Sequence, residues 1–246
     1  MSVLVGRART ADGVRDVRWS ADGPVPIESP LAAFAAGRAA QDVGDPIPGA
    51  VLVAPVAPTL LIGIAQNGPG HASPVQAWLK SPRTIVPSGT AVRLRRDAGT
   101  PVAEGEIAVV LGRDARDLTA ENAHEYVWGV TAVNDLSSPD RNDADPRNFE
   151  SKSGAGYTPL GPWIDTEADI GTVPLALRID GRLRGETTAA ALPVAIAECL
   201  AYLAGWTPLG PGDVVMTGAP FTHVPIEPGQ RVEVAVGAVR LITPTL

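Results

Sequence analysis

Ala103-Glu104-Gly105-Glu106-Ile107-Ala108-Val109-Val110-Leu111-Gly112 decides how the chain is read. Ile107 to Leu111 is short, apolar and β-branched, and Gly112 closes it, so it reads as a buried strand. Two carboxylates stand at its entrance. In a strand, residues i and i+2 point to one side, about 7 Å apart at Cα. Glu104 and Glu106 therefore face one space. Like charges that close repel, and one must take up a proton unless a cation neutralises them. A hard divalent ion that takes carboxylate oxygens meets that need. Two exposed glutamates at a strand end would satisfy the same pattern.

At 246 residues the chain is long enough for one sizeable core. A formal net charge of -7 argues against a nucleic-acid-binding surface. Cys199 is the only cysteine, which excludes an intrachain disulfide and a cysteine-based zinc site. Met1 to Arg18 lacks a secretory apolar core, and no apolar stretch has membrane-spanning length, so a cytoplasmic location away from membranes is expected. Lys80 and Lys152 are the only lysines among 20 basic residues. Where arginine is the default, a lysine marks a place that takes a compact ammonium.

Residues 1–55 read as a small α+β layer. Two short strands, Val3 to Gly6 and Val14 to Trp19, flank an Asp12-Gly13 turn, and an alanine-rich helix follows from Leu31 to Ala40. Residues 56–246 read as the catalytic part. Thr59 to Ala65 is a buried strand that runs into the polar loop Gln66-Asn67-Gly68-Pro69-Gly70-His71. A histidine there can act as acid or base, or be an ordinary loop residue. Ala77 to Pro82 brings Trp78 and Lys80 to the same neighbourhood. Thr119 with Asn122 reads as a helix start, running through Tyr126 to Gly129 with His124 and Glu125 on a solvated face. Val130 to Val133 is a strand ending in Asn134-Asp135, a third carboxylate. A polar loop spans 138–151, and Lys152 opens a glycine-rich flexible stretch. Asp180-Gly181 turns a hairpin, Thr187 to Leu203 reads as the longest helix, and Cys199 and Met216 read as core. A strand delivers Thr217 and Gly218 to a loop whose free N–H groups suit an anion. Arg231 to Val236 alternates as a final strand.

Together these pieces resemble the fumarylacetoacetate hydrolase superfamily over roughly residues 50 to 246. The residues that carry the likeness are Glu104-Gly105-Glu106, Val133-Asn134-Asp135, Lys152, Pro159-Leu160-Gly161-Pro162-Trp163, and Pro211-Gly212-Asp213 leading to Thr217-Gly218-Ala219-Pro220. The resemblance implies a mainly β fold with a few helices, a mixed β-roll or β-sandwich, and a homodimer. It matches Glu104, Glu106 and Asp135 to the ligands of Mg²⁺ or Mn²⁺, Lys152 to the lysine facing a bound oxo acid, and Thr217 to the substrate's far end. Gly218 and Asn67 join the expected substrate contacts, and His71 and Lys80 are candidates for proton transfer.

Pro139, where hydrolases carry arginine, and the run Ala219 to Val224 are similar to the homoprotocatechuate-pathway decarboxylase/isomerase branch. That branch acts on 5-oxopent-3-ene-1,2,5-tricarboxylate and 2-hydroxyhepta-2,4-diene-1,7-dioate. Many members pair the first histidine with a glutamate three residues on. Here Pro74 stands there, the stretch from His71 to Lys80 is shorter than a usual lid, and Asn67-Gly68 replaces Asn-Tyr. Hydrolysis needs a positioned water and a base, whereas decarboxylation and isomerisation need only a sink for electrons. The expectation is a metal-dependent decarboxylase or isomerase of a 2-oxo or 2-hydroxy-dienoic dicarboxylic acid, with the oxo acid chelated and its enolate stabilised by Lys152. The alternatives are C–C hydrolysis of an acylpyruvate, or a non-catalytic or biosynthetic protein on the same scaffold.

Overall fold

The computed structural model describes residues 2–246. In chain order its elements are β1 (Leu4–Thr10), β2 (Gly13–Arg18), β3 (Val25–Pro26), α1 (Pro30–Ala35), β4 (Val51–Leu52), β5 (Leu61–Gln66), β6 (Val75–Lys80), β7 (Ile85–Pro87), β8 (Val102–Leu111) and β9 (Val127–Asn134). Then come α2 (Phe149–Lys152), β10 (Thr158–Leu160), β11 (Trp163–Asp165), β12 (Pro174–Ile179), β13 (Arg182–Thr188), α3 (Ile196–Ala204), β14 (Val214–Met216), β15 (His223–Pro225), β16 (Arg231–Val236) and β17 (Val239–Pro244). The fold is mainly β with three short helices, as expected.

The strands form two sheets. The larger follows the path β3-β2-β1-β11-β9-β8-β14-β5-β6, with β4, β7, β10 and β15 branching from it. The smaller is β13-β12-β16-β17. β8 and β9 lie at the middle of the large sheet. Both read as continuous apolar runs because both faces are covered. The inner face of the small sheet packs onto β8. A side chain at Gly105 would press Leu177 of β12 at 3.1 Å and Val234 of β16 at 3.3 Å, so glycine lets the two layers close. The N-terminal layer is continuous with the large sheet, because β1 pairs antiparallel with β11 in the register Val5↔Ile164.

Several elements differ from the sequence reading, each for a local reason. β8 begins at Val102, so Glu104 and Glu106 lie within the strand rather than at its entrance. The expected helix from Thr119 is only a 3₁₀ turn, Ala123–Glu125. Asn122 ties the preceding loop instead, accepting from the Thr119 N–H at 2.7 Å and donating to the Asp117 carbonyl at 3.0 Å. The chain then enters β9 through residues that favour strands, Val127-Trp128. His124 and Glu125 are exposed, as expected.

The helix read over Thr187 to Leu203 is confined to α3. Thr187 and Thr188 belong to β13, and Leu192 is held extended at ψ 141°. Pro193 follows it and excludes the helical region for its predecessor. The helix read from Leu31 to Ala40 stops at Ala35, where Gly37 takes a positive φ of 71°. Arg231–Val236 is not the last strand, because β17 returns antiparallel against it. Lys152 sits at the end of α2 rather than in a flexible stretch.

Met216 and Cys199 are buried in the core. Burial, reinforced by Glu198, pushes the Cys199 thiol up to about 12. Reaction with a disulfide reagent at pH 8 therefore requires unfolding. Labelling is expected to be negligible in native buffer and to rise with urea in step with the loss of structure. Stoichiometric labelling of native protein within seconds would contradict the packing of α3.

Candidate functional site

Register assembles the centre. β8 and β9 pair with Gly105 opposite Asn134, and the Asp135 N–H donates to the Glu104 carbonyl at 2.8 Å. Asp135 thus lies beside Glu104 at the end of β9. Glu104 and Glu106 alternate around Gly105 and share a side, as strand periodicity demands. Oxygens of Glu104, Glu106 and Asp135 lie within 4.8 Å of one another. β14 runs antiparallel to β8 and leads to Thr217 and Gly218. The Gly218 N–H donates to Glu106 Oε2 at 2.7 Å, from a positive φ of 85° that suits glycine.

Both lysines of the chain end on Asp135. Lys80 Nζ, at the end of β6, donates to Asp135 Oδ1 and to the Tyr157 carbonyl, the latter at 2.8 Å. Lys152 Nζ donates to Asp135 Oδ2 at 2.8 Å and Glu104 Oε2 at 2.6 Å. It stands 5.4 Å above the ring of Trp78. Ser137 Oγ donates to Glu104 Oε1 at 2.7 Å, and His223 Nδ1 lies 3.3 Å from the same oxygen.

The ionisation follows from this arrangement. Burial opposes charge on Glu104, but Lys152, His223 and Ser137 outweigh it and hold the carboxyl well below the usual range. Glu106 goes the other way. Burial, then Asp135 and Glu104, push its carboxyl well above the usual range, and Lys152 and the Gly218 N–H offset only part of that. Burial also pulls the Lys80 ammonium below its ordinary range, against the attraction of Asp135. For Lys152 burial acts in the same sense, but Asp135, Glu104 and Glu106 raise it above the ordinary range. Three ionised acids against two ammonium groups would leave one negative charge in excess, and Glu106 is the carboxyl whose ionisation the site opposes. The donor set is all oxygen, converging and short of positive charge, which fits a hard divalent cation held by Glu104, Glu106 and Asp135.

The centre opens into a cleft of about 450 Å³. Glu104, Lys152, His223, Trp78, Gln76 and Asn148 are among its lining residues. Trp78 lies flat across β5, where a side chain at Gly63 would meet the indole at 2.5 Å.

The expected site residues divide into two groups. Glu104, Glu106, Asp135 and Lys152 come together, with Gly218 capping Glu106. Thr217 is beside them, but its hydroxyl donates to the Ile107 carbonyl at 2.9 Å. Lys80 is sealed behind Asp135, with no exposed side-chain surface, and so serves as a counter-charge. His71 and Asn67 are not among the cleft-lining residues. Both are exposed on the β5–β6 loop, where His71 Nδ1 lies 2.8 Å from the Ser73 carbonyl and Asn67 Nδ2 donates to that same oxygen at 2.8 Å. Sequence reasoning missed His223, Ser137, Gln76, Asn142 and Asn148. The pairing of β15 with β8, His223 opposite Glu104, joins positions too far apart in sequence to be read locally.

The family model for the fumarylacetoacetate (FAA) hydrolase C-terminal domain matches residues 56–244. The 4-hydroxyphenylacetate degradation bifunctional isomerase/decarboxylase of Salmonella dublin is 39% identical over 144 residues, covering 56% of this chain and 34% of that protein. Maleylpyruvate hydrolase of Aquipseudomonas alcaligenes is 29% identical over 162 residues, 65% of this chain and 55% of that one. The crystal structure of 5-carboxymethyl-2-hydroxymuconate delta-isomerase from Mycobacterium smegmatis superposes with a TM-score of 0.89 at 30% identity, covering 99% of each chain.

Two substitutions test the charge balance. Glu106→Gln removes the carboxyl whose ionisation the site opposes, so in EDTA its melting temperature is expected to exceed that of the unsubstituted protein. With Mg²⁺ at about a hundred times its Kd the order reverses, because only the intact centre gains the roughly 2.7 kcal/mol of linkage, some 5–10 °C for a chain this long. Lys80→Met leaves Asp135 buried with one partner fewer and is expected to lose about 3–5 kcal/mol in urea unfolding.

Proposed function

The chain belongs to the fumarylacetoacetate hydrolase family, and from that premise we propose that it is a divalent-metal-dependent enzyme that decarboxylates or isomerises a 2-oxo acid. The observation that carries this reading is the convergence of Glu104, Glu106 and Asp135 beside a cleft that Glu104 and Lys152 line. Mg²⁺ or Mn²⁺ held there would supply Lewis acidity toward the oxo acid.

The remaining work falls to the chain's own groups. Lys152 presents a fixed ammonium to the cleft, positioned by two carboxylates and the Trp78 face. Breaking a bond on the carbon next to the 2-oxo carbonyl, either to a carboxylate that leaves as CO₂ or to a proton taken up by solvent, leaves an electron pair that moves onto the 2-oxo oxygen as an enolate. A cation already in place stabilises that charge without reorganising, which is how preorganised electrostatics lowers a barrier. Gly218 keeps one oxygen of Glu106 aimed inward, and Lys80 holds Asp135 from behind, so the acids cannot swing apart when substrate enters. Trp78 and Pro220 give one side of the cleft an apolar lining.

Hydrolysis of a C–C bond would further need a base to activate water. The family's histidine–glutamate pair has no counterpart here, because Pro74 replaces the glutamate and His71 bonds within its own loop. This favours decarboxylation or isomerisation. Similarity to maleylpyruvate hydrolase keeps hydrolysis as the second reading.

A panel of 2-oxo acids with Mg²⁺ or Mn²⁺, scored separately for CO₂ release, C–C hydrolysis and proton exchange, tests the proposal. CO₂ release or proton exchange is expected. Glu106→Ala should abolish it, and Lys152→Met should lower kcat by about 10²–10³. A folded protein that binds the metal by calorimetry yet consumes no 2-oxo acid would overturn the catalytic reading. Hydrolysis products alone would replace it with the second.

A further inference from the structure

The cleft's far wall differs in chemistry from its floor. Gln76 and Trp78 come from β6, Asn142 and Asn148 from the segment between β9 and α2, and Ala219 and Pro220 from the turn after β14. No arginine lines the cleft among the described residues, and Lys152 is its one permanent cation. That ammonium is held by Glu104 and Asp135. His223, on the opposite side, faces Glu104 at 3.3 Å. A second substrate carboxylate lodged against the far wall would meet amides and an indole face, with no free counter-charge. Desolvating a carboxylate without a partner is strongly unfavourable.

The mouth adds repulsion. Residues 138–151 carry Asp140, Asp143, Asp145 and Glu150 against only Arg141 and Arg147. Arg141 is paired with Glu150, and Arg147 is exposed and absent from the lining. Gln76 Nε2 donates to the Pro146 carbonyl at 3.5 Å, so this acidic segment stands against β6 beside the cleft. An approaching dianion meets a surplus of negative charge there.

We infer that the substrate is a 2-oxo acid with no carboxylate beyond its reacting end, meaning the oxo-acid head and any carboxylate on the adjacent carbon that leaves as CO₂, and with a neutral distal part that hydrogen-bonds to amides. Gln76, Asn142 and Asn148 each offer a donor and an acceptor, which suits a carbonyl, hydroxyl or amide. Trp78 offers a flat apolar face. The inference rests on the proposed action on a 2-oxo acid, and it departs from the substrates with a distal carboxylate that the family resemblance implies.

Two matched series test it. In the first, 2-oxo acids of equal length ending in carboxylate, carboxamide or methyl are assayed with Mg²⁺ for proton exchange at the carbon beside the 2-oxo carbonyl, a step open to all three. The neutral ends should show kcat/KM at least about tenfold above the carboxylate, which corresponds to about 1.4 kcal/mol. Asn142→Arg, at the exposed mouth, supplies the missing counter-charge and should narrow that gap, lowering KM for the carboxylate-ended compound and raising it for the neutral ones. In the second, N-substituted oxamates with the same ends serve as unreactive mimics of the oxo-acid head, and their binding is measured by calorimetry with Mg²⁺. A carboxylate-ended compound that reacts or binds as well as its neutral match overturns the inference. Oxamates that bind with the neutral preference while no oxo acid is consumed uphold it and overturn the catalytic reading instead. Failure of every oxamate to bind overturns both.

Discussion

Asp135 is held between two ammonium groups, Lys80 behind it and Lys152 in front, and the rest of the site depends on that contact. A buried carboxylate needs both oxygens satisfied, and each has its own lysine here. The two lysines then diverge in character because their surroundings differ. Lys80 meets one acid in a closed pocket and is weakened as a cation. Lys152 meets three and is strengthened. One therefore serves as an internal brace, and the other as a permanent charge facing the cleft.

Strand register makes this possible. A slip of one residue between β8 and β9 would turn Glu104 and Glu106 to the opposite face and bring Gly105 to the cleft. The interlock with β15 opposes that slip: the Gly105 N–H donates to the Thr222 carbonyl at 3.0 Å, and the Thr222 hydroxyl donates to the Gly105 carbonyl at 2.5 Å. On the other face Gly105 leaves just enough room for Leu177 and Val234. Core packing between the two sheets and geometry of the acidic centre are thus specified by the same residue.

Much of the centre was legible in the sequence. Glu104 and Glu106 could be placed side by side from the period of a strand, and Asp135 and Lys152 from motif order. Lys80 stands out by its rarity and reads as a candidate for proton transfer, while its depth behind Asp135, which comes from the pairing of β5 with β6, has no local signal. His71 draws attention as a histidine after a strand, while His223, which lines the cleft, reads only as part of the run Ala219 to Val224 and not as a site residue. The overlong helices share one cause. Alanine-rich runs permit a helix without demanding one, and Pro193 and the Asn122 loop decided against it.

The burial of both lysines has a practical side. Among the described side chains, arginine carries the permanent positive charge of the outer surface, since Lys80 has no exposed side-chain area and Lys152 has 7%. Amine-directed crosslinkers, biotinylating esters and acetyl donors find no freely accessible lysine side chain on this fold. A modified lysine, wherever one is found, would report that the core around Asp135 had opened.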